Sequence, residues 1–389
     1  MTVALPGSPV DEVPLSVFDS IVAQLARVGE RRVIPLHQGH TAFTASVEPR
    51  GWSAGEFDPP PHRDGPPAGA PRLLEAIRAK LEAALGEAVD PARIQVTCGI
   101  THALSVTFHA LLEPGEEVLV LSPHWLFVCG LVRAAGGVPV EVPVFPMPGD
   151  APLGGLAARI EPHLTARTRA VYFNTPNNPT GVALSRAQLE ELVALARERD
   201  LWLVSDNAYE NYDYSPDGFV DVAALDGGRD RAFAAYSFSK SYGLTGYRIG
   251  YLLSPPALAD RSRKLALHSV YSVATPSQFA AAAALGCGPG VLAEHRGFVE
   301  RAIELAHRDL AVPATRADGG FYLFLDLSAW EPGAEDFVSR CIAEGVSLAP
   351  GRAFGAGYDG AVRLCHSVVG HDDLVAGIEI VNDVYRRGA

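Results

Sequence analysis

The sequence predicts an α/β protein in which helices sandwich a mainly parallel sheet, followed by a smaller α+β domain. Short apolar runs typical of buried strands lie at residues 118–121, 170–173 and 201–205. Helical patterns separate these runs, and such alternation is typical of parallel strands. A separate group of strand and helix patterns follows residue 310. We expect a large domain at residues 50–285 and a small one at 286–389, with the N-terminal arm, 1–49, joining the small domain.

The composition indicates a soluble globular protein, with 48% hydrophobic and 20% charged residues. A formal net charge of −13 argues against nucleic acid or an anionic membrane as a partner. No run of 18 apolar residues indicates a transmembrane helix, and the first residues lack a signal-peptide pattern. The five cysteines form no C-x-x-C pair, which favours reduced thiols and a cytoplasmic location. We expect no metal site.

The first elements lie before the predicted sheet. Apolar residues at helical spacing run from Val17 to Val28, and Gly29 ends that helix. Residues 33–36 indicate a short strand, which ends near Gly39. Residues 48–71 are too rich in proline and glycine for regular structure. A second helical pattern covers residues 73–85.

A glycine turn marks the first candidate binding site. It joins a strand at residues 94–97 to a helix that ends at Leu112. Gly99 begins the turn, and Ile100 and Thr101 open the helix. Because the first N–H groups of a helix lack acceptors and its dipole is positive there, this turn favours an anion.

Polar or aromatic residues follow the next strands. The strand at 118–121 precedes S-P-H-W, which ends at Trp125, and residues 138–144 indicate a further strand. The strand at 170–173 runs into N-T-P-N-N-P-T-G, where two prolines stiffen the loop around Asn178. A helix follows, with Ser185 as its N-cap and Gln188 completing a capping box.

A buried carboxylate is predicted at the end of the strand at residues 201–205. That residue is Asp206, and Tyr209 lies three residues further on. A carboxylate in such a place needs a cation, which a structural ion pair or a bound ligand could supply.

Lys240 is the central residue of the predicted site. It is one of three lysines; Lys80 and Lys264 lie in charged helical patterns and are expected on the solvated surface. Lys240 follows an apolar run, 232–238, and burial lowers the pKa of an amine. A neutral amine can form an imine with a carbonyl compound. The hydroxyls of nearby serines and a following arginine suggest a phosphate beside it, and lysine imine plus phosphate indicates pyridoxal phosphate.

The C-terminal part completes the predicted small domain. Helical patterns cover residues 256–268, 276–285, 291–310, 337–344 and 372–387, and strands are expected at 319–324, 346–349 and 361–367. The segment 268–273 suits substrate or dimer contacts. Arg363 alternates with Leu364 on the last strand, so its guanidinium can face the cleft and pair with a carboxylate.

The motif S-x-S-K-x-x-G-x-x-G-x-R at residues 237–248, together with N-x-P-x-N-P-T-G, resembles the class I/II aminotransferases of the fold-type I pyridoxal-phosphate enzymes. The resemblance extends from about residue 33 to the C-terminus. It implies a seven-stranded type of sheet, a homodimer with active sites at its interface, and amino transfer between an amino acid and a 2-keto acid.

The resemblance also implies roles for individual residues. Those expected to bind the cofactor are Lys240, Asp206, Tyr209, Asn178, Trp125, Ile100, Thr101, Ser237, Ser239 and Arg248. The first three are expected to be catalytic, with Lys240 moving the α-proton and Asp206 keeping the ring nitrogen protonated. Those expected near the substrate are Arg363, Asn178, Gly39 and Asp64.

Two positions depart from the family pattern. Relatives usually have a tyrosine in place of Asp64, which reaches the neighbouring subunit's cofactor phosphate. A carboxylate would repel that phosphate, so Asp64 points elsewhere, pairs with a cation such as Arg63, or binds a positively charged part of the substrate. Some aspartate-using relatives have a lysine where Thr101 stands, which disfavours an acidic substrate here.

Two other functions fit parts of the pattern. Elimination, replacement, decarboxylation-coupled deamination or cyclisation could occur on the same scaffold, and Asp64 favours such a variant in secondary metabolism. Some transcription regulators use this fold as an effector sensor. They carry a DNA-binding domain before it, and fewer than 40 residues precede the fold here.

Overall fold

The computed structural model describes residues 18–29, 32–47 and 62–388, together with Asp11, Val13 and Pro60. Val17 and most of the irregular segment 48–61 lie outside the described residues. The helices are α1 Asp19–Val28, α2 Pro71–Leu85, α3 Gly99–Leu111, α4 Val128–Ala134, α5 Leu156–Ile160, α6 Arg186–Glu198, α7 Phe238–Ser241, α8 Ala259–Val270, α9 Thr275–Gly286, α10 Pro289–Asp309, α11 Ala334–Glu344 and α12 His371–Arg386. The strands are β1 Ile94–Thr97, β2 Glu117–Ser122, β3 Val138–Pro143, β4 Thr168–Asn174, β5 Trp202–Asp206, β6 Ala232–Ser237, β7 Gly250–Leu253, β8 Tyr322–Asp326, β9 Ala349–Pro350 and β10 Ala361–Cys365.

The large sheet has seven strands in the order β1-β7-β6-β5-β4-β2-β3. Strands β3, β2, β4, β5 and β6 are parallel neighbours, and β7 runs antiparallel to both β6 and β1. The prediction of a mainly parallel sheet is therefore confirmed. Because β4, β5 and β6 run in one direction, the residues that follow them meet at a single edge.

Helices cover both faces of this sheet, as β2 shows. Val118 and Val120 pack with α3, whereas Leu119 and Leu121 pack with α6 on the opposite face. Successive side chains of a strand point to opposite faces, so a strand buried on both sides is continuously apolar. This is why the sequence pattern identified the central strands.

The small sheet has three antiparallel strands in the order β8-β10-β9. An apolar core of residues from this sheet and from α1, α10, α11 and α12 lies beside it. Arg363 lies opposite Phe324 on β8 and Ala349 on β9. Among the helices that the structure describes, none is long and apolar enough to cross a membrane.

Two short strands predicted from the sequence are smaller than expected. Residues 33–36 form only a single parallel bridge, between Ile34 and Val346. The strand expected at 346–349 is reduced to β9, which consists of Ala349 and Pro350. Proline has no N–H to donate to a ladder, so Pro35 and Pro350 both limit pairing.

Lys80 corrects another expectation. The surface assignment is wrong for Lys80, whose amine donates to Glu210 and to the Tyr251 hydroxyl beneath the sheet. It is correct for Lys264, whose side chain is 69% exposed. The predicted capping box of α6 is confirmed, with Ser185 and Gln188 bonding each other's backbone N–H groups.

Candidate functional site

A cavity of about 440 Å³ opens at the carboxyl edge of the large sheet. It is lined by residues from the ends of β4, β5 and β6, from the start of α3, and from β8 and β10. The predicted site residues that line it are Gly39, Ile100, Thr101, Trp125, Asn178, Asp206, Tyr209, Ser237, Ser239, Lys240, Arg248 and Arg363. Asp64 is exposed and is not among the residues that line it.

Lys240 lies in the short helix α7, directly after β6. The Ser237 hydroxyl caps this helix by accepting the Ser239 N–H at 3.1 Å. The Lys240 amine donates to the Gly39 carbonyl oxygen. Burial lowers the pKa of Lys240 to about 8, and the positive charges of Arg363 and Arg248 act in the same direction. The amine can therefore be neutral or charged near neutral pH, as a nucleophile and proton carrier requires.

Asp206 ends β5 and is buried. Its carboxylate accepts hydrogen bonds from the Tyr172 hydroxyl at 2.9 Å and from the Ala208 N–H at 3.1 Å. Burial raises the pKa of Asp206 to about 6, although both hydrogen bonds act against this rise. Within the described part of the chain, no arginine, lysine or histidine forms an ion pair with it. A buried carboxylate without a cation is suited to a protonated ring nitrogen of a ligand.

The start of α3 and Arg248 form the wall suited to an anion. A Cβ on Gly99 would lie 2.9 Å from the Arg248 Nη2 atom, and Gly99 has a φ of +76°. Arg248 itself has a φ of 50°. Only glycine fits at position 99, because a side chain would displace the guanidinium. Ile100, Thr101, Ser237 and Ser239 line the same cavity, and helix N-terminal N–H groups and serine hydroxyls are donors that suit a phosphate.

Arg363 provides a second place for an anion. It is only 3% exposed and lies between the rings of Tyr322 and Phe354, with its guanidinium carbon 4.3 and 4.7 Å from their centroids. Its Nη1 donates to the Asn178 amide oxygen at 3.0 Å, and its Nη2 donates to the His37 carbonyl at 2.7 Å. Its Nε atom is buried and has no hydrogen-bond partner among the described residues. The arginine is thus positioned rigidly and keeps capacity for a ligand carboxylate.

The structure adds residues to which the sequence assigned no role. The Tyr322 hydroxyl bonds that of Tyr209 at 2.9 Å, and a Cβ on Gly39 would lie 2.4 Å from it. Asn174 accepts the Asn178 N–H at 2.7 Å and donates to the Asp206 carbonyl at 2.8 Å. Asn174 is the first residue of the N-x-P-x-N-P-T-G motif, so the sequence contained a signal that could have marked it as a site residue. Nothing local in the sequence marked Tyr322, because its partners are distant in the chain.

Trp125 is half-buried at the cavity wall, edge-on to Phe127 with 5.3 Å between ring centroids. One face of an indole at such a wall can stack on a flat ring. The donors, the buried carboxylate, the lysine and this aromatic surface together match the groups of pyridoxal phosphate. The residues present therefore fit this cofactor.

Comparisons with known proteins point to one family. The family model described as "Aminotransferase class I and II" matches residues 58–378. The chain is 35% identical over 324 residues to a probable aspartate/prephenate aminotransferase of Thermus aquaticus, covering 81% of each protein. It is 33% identical over 307 residues to an arginine–pyruvate transaminase of Pseudomonas aeruginosa, covering 78% of this chain and 75% of that one.

A solved structure agrees with this result. An aspartate aminotransferase of Thermus thermophilus, studied as a single mutant, superimposes with a TM-score of 0.88 at 29% identity, covering 98% of this chain and 100% of that one. The aminotransferase names of the relatives support amino-group transfer and give no support to the elimination or cyclisation alternatives. Members of this family generally depend on pyridoxal phosphate. The chain belongs to the class I and II aminotransferases, and its activity is the transfer of an amino group between an amino acid and a 2-keto acid.

Proposed function

We propose that this aminotransferase holds pyridoxal phosphate through a covalent bond to Lys240. The observation that carries the proposal is the convergence in one cavity of a lysine of lowered pKa and a buried carboxylate without a cation partner among the described residues. Asp206 would bind the ring nitrogen, Tyr209 and Asn178 the ring hydroxyl, and Trp125 the ring face. The phosphate would lie with the residues around Arg248, namely Ile100, Thr101, Ser237 and Ser239.

When bound, the cofactor would act as an electron sink for the α-carbon of the amino acid. The protein's own contribution is positioning and proton transfer. With a pKa of about 8, the Lys240 amine can take the α-proton and return it near neutral pH. The substrate's α-carboxylate would bind Arg363, with Asn178 beside it and Gly39 leaving room. Catalysis then depends on the distance between the Lys240 amine and Arg363. This distance is set by β6, which precedes Lys240, and by β10, which carries Arg363.

Borohydride reduction followed by peptide mapping tests the cofactor assignment. We expect the label on Lys240 and none on Lys80 or Lys264. Lys240→Ala should lose covalent cofactor, whereas the matched control Lys264→Ala should keep it, because Lys264 lies on the exposed face of α8. Label on another lysine, or none in a preparation that contains cofactor, would overturn the assignment.

The assembly is proposed to be a homodimer with active sites at the interface, as in the family. Exposed apolar residues are available for such contacts, and among them are Val270 and Tyr271, which are 38% and 54% exposed. A cytoplasmic location remains the proposal that the cysteines support, since all five are free in the structure.

The substrate is proposed to carry a positive charge beyond the α-carbon. The support is Asp64, which is exposed in the single chain and stands where the tyrosine of relatives reaches a neighbouring subunit's site. Thr101 replaces a lysine of some aspartate-using relatives, and one relative is named an arginine–pyruvate transaminase. Aspartate is the competing substrate, since other relatives are named after it.

The test compares kcat/KM for arginine and lysine with that for aspartate and for neutral amino acids, using the same keto acid. We expect cationic substrates to be preferred. Asp64→Asn should lower kcat/KM by up to about 5-fold for them and leave neutral substrates unchanged, since one exposed charge pair contributes up to about 1 kcal/mol. A preference for aspartate, or equal losses for all substrates, would contradict this assignment without affecting that of Lys240.

A further inference from the structure

We infer that His124, Cys129 and Glu141 form a binding site for a divalent metal ion of the zinc class, in a cavity separate from the cofactor pocket. His124 lies in the turn after β2, Cys129 in the first turn of α4, and Glu141 on β3. Their ligand atoms all lie within 4.8 Å of one another. An imidazole, a thiolate and a carboxylate are the three ligand types that zinc takes in proteins.

The distances suit a tetrahedral ion. The Cys129 Sγ lies 3.4 Å from the His124 Nε2, and the Glu141 Oε1 lies 3.7 Å from the same nitrogen. Zinc bonds of about 2.0–2.3 Å at tetrahedral angles place neighbouring ligand atoms about 3.4–3.6 Å apart. The Cys129 and Glu141 ligand atoms lie within 4.8 Å of each other, so the carboxylate would move toward the thiolate by up to about 1 Å for all three side chains to reach one ion.

The surroundings orient the ligands for this purpose. The His124 Nδ1 lies 3.0 Å from the Trp125 carbonyl oxygen, which can only accept, so Nδ1 carries a proton and Nε2 is the nitrogen that faces Cys129 and Glu141. Burial lowers the pKa of His124, but its hydrogen bonds with Cys129 and Glu141 outweigh this and raise the pKa to about 10, so a bound ion would replace the Nε2 proton. Metal-binding histidines commonly bond a backbone carbonyl in this way. The Glu141 Oε2 accepts the Ala356 N–H at 2.7 Å, which leaves Oε1 directed at His124.

The cluster is also accessible. It borders a cavity of about 290 Å³, and the Glu141 side chain is 31% exposed. A thiolate from Cys129 and the Glu141 carboxylate would together balance the two positive charges of the ion, and Arg133, Arg352 and Asp359 also line the cavity. The cavity leaves room for water as a fourth ligand.

A bound ion would join distant parts of the chain. His124 donates its backbone N–H to the Phe354 carbonyl at 2.9 Å, and Glu141 holds Ala356. The ion would thus fix the edge of the large sheet to the segment at 351–356, next to Trp125. This inference replaces the expectation, drawn from the sequence, that the chain has no metal site.

Metal titration of the cofactor-loaded enzyme tests the site. After removal of metals with a chelator, Zn²⁺ is titrated against a chromophoric chelator, and Co²⁺ serves as a spectroscopic probe. We expect one tight site per chain, a cobalt–thiolate charge-transfer band, and a Tm that rises with Zn²⁺. Cys129→Ser should lose the band and weaken Zn²⁺ binding at least ~100-fold, since even residues that only support a ligand are worth about 10–100-fold.

The control is Cys287→Ser, because Cys287 is a free, exposed cysteine outside the cluster. It should keep the band and the affinity. Glu141→Gln serves if Cys129→Ser does not fold, and it should keep the band while weakening Zn²⁺ binding at least ~10-fold. The inference is overturned if the wild type shows no cobalt–thiolate band, if the band survives in Cys129→Ser, or if Zn²⁺ affinity is unchanged in Glu141→Gln.

Discussion

At the scale of single residues, Asp206 is a group proposed to bind the cofactor whose burial costs stability in the protein alone. Its carboxyl is buried, and its pKa is raised to about 6 from an ordinary value of 3.8. The folded state therefore binds this proton more tightly than the unfolded state does. Stability falls as the pH rises from about 4 to about 6 and stays lower above that.

Asp206→Asn should consequently stabilise the cofactor-free protein at pH 7–8 by up to about 3 kcal/mol, because a shift of one pKa unit corresponds to about 1.4 kcal/mol. The gain should shrink below pH 6 and vanish only well below pH 4, where both states of the wild type are protonated. Urea unfolding of both proteins over this pH range measures it. A stability difference that does not change with pH would contradict the assigned cause.

The same substitution should reduce catalysis. The amide that replaces Asp206 cannot hold a proton on a ring nitrogen as a carboxylate can, so kcat should fall on the order of 10²-fold or more while cofactor remains bound. Tyr172→Phe is the matched control, because it removes one hydrogen bond to Asp206 but keeps the charge. It should have a much smaller effect. Unchanged kcat in Asp206→Asn would exclude the proposed role.

At the scale of elements, a partly buried ion pair connects α2 to the turn that follows Tyr209. The Lys80 and Glu210 side chains are 24% and 10% exposed. Lys80 also donates to the Tyr251 hydroxyl at 3.0 Å on the neighbouring strand β7. This pair therefore joins a helix, a strand and the segment that positions Tyr209.

Lys80→Met should destabilise the fold by about 3 kcal/mol, because it leaves the Glu210 carboxylate buried without its cation. Adding Glu210→Gln should recover part of this loss. The control, Lys264→Met, breaks an exposed pair whose side chains are 69% and 81% exposed, and should cost less than about 1 kcal/mol. Denaturant unfolding measures all three, and equal losses at Lys80 and Lys264 would refute the buried-pair account.

At the scale of the whole molecule, the homodimer proposal makes a prediction about surface residues. The chain of 41.3 kDa should sediment at twice that mass. Val270→Asp should weaken the dimer at least ~10-fold, because a charge would be buried at the interface. Val138→Asp is the control, since Val138 is 43% exposed on the edge strand β3. Sedimentation at several protein concentrations measures the dissociation constant of the dimer for each variant. A wild type that sediments as a monomer would contradict the proposal.

The sequence by itself determined the sheet and the centre of the site. Strands buried on both faces produce continuous apolar runs, and parallel strands bring the residues that follow them to one edge. Asp206 ends such a strand, and Lys240 and Asn178 lie in the segments just after two others, so their meeting in one cavity was predictable from order along the chain. The capping box of Ser185 and Gln188 was also predictable, because its two residues are only three positions apart in the chain.

Only the tertiary structure decided the contacts between residues far apart in the chain. The bonds of Asp206 to Tyr172, of Tyr209 to Tyr322 and of Arg363 to the His37 carbonyl depend on strand register and on which side chains face each other. Lys80 has a surface-like neighbourhood in sequence, yet its amine reaches Glu210 across the fold. His124, Cys129 and Glu141 likewise meet only because β2, α4 and β3 pack together. Such contacts follow from the packing of whole elements, and local patterns do not encode them.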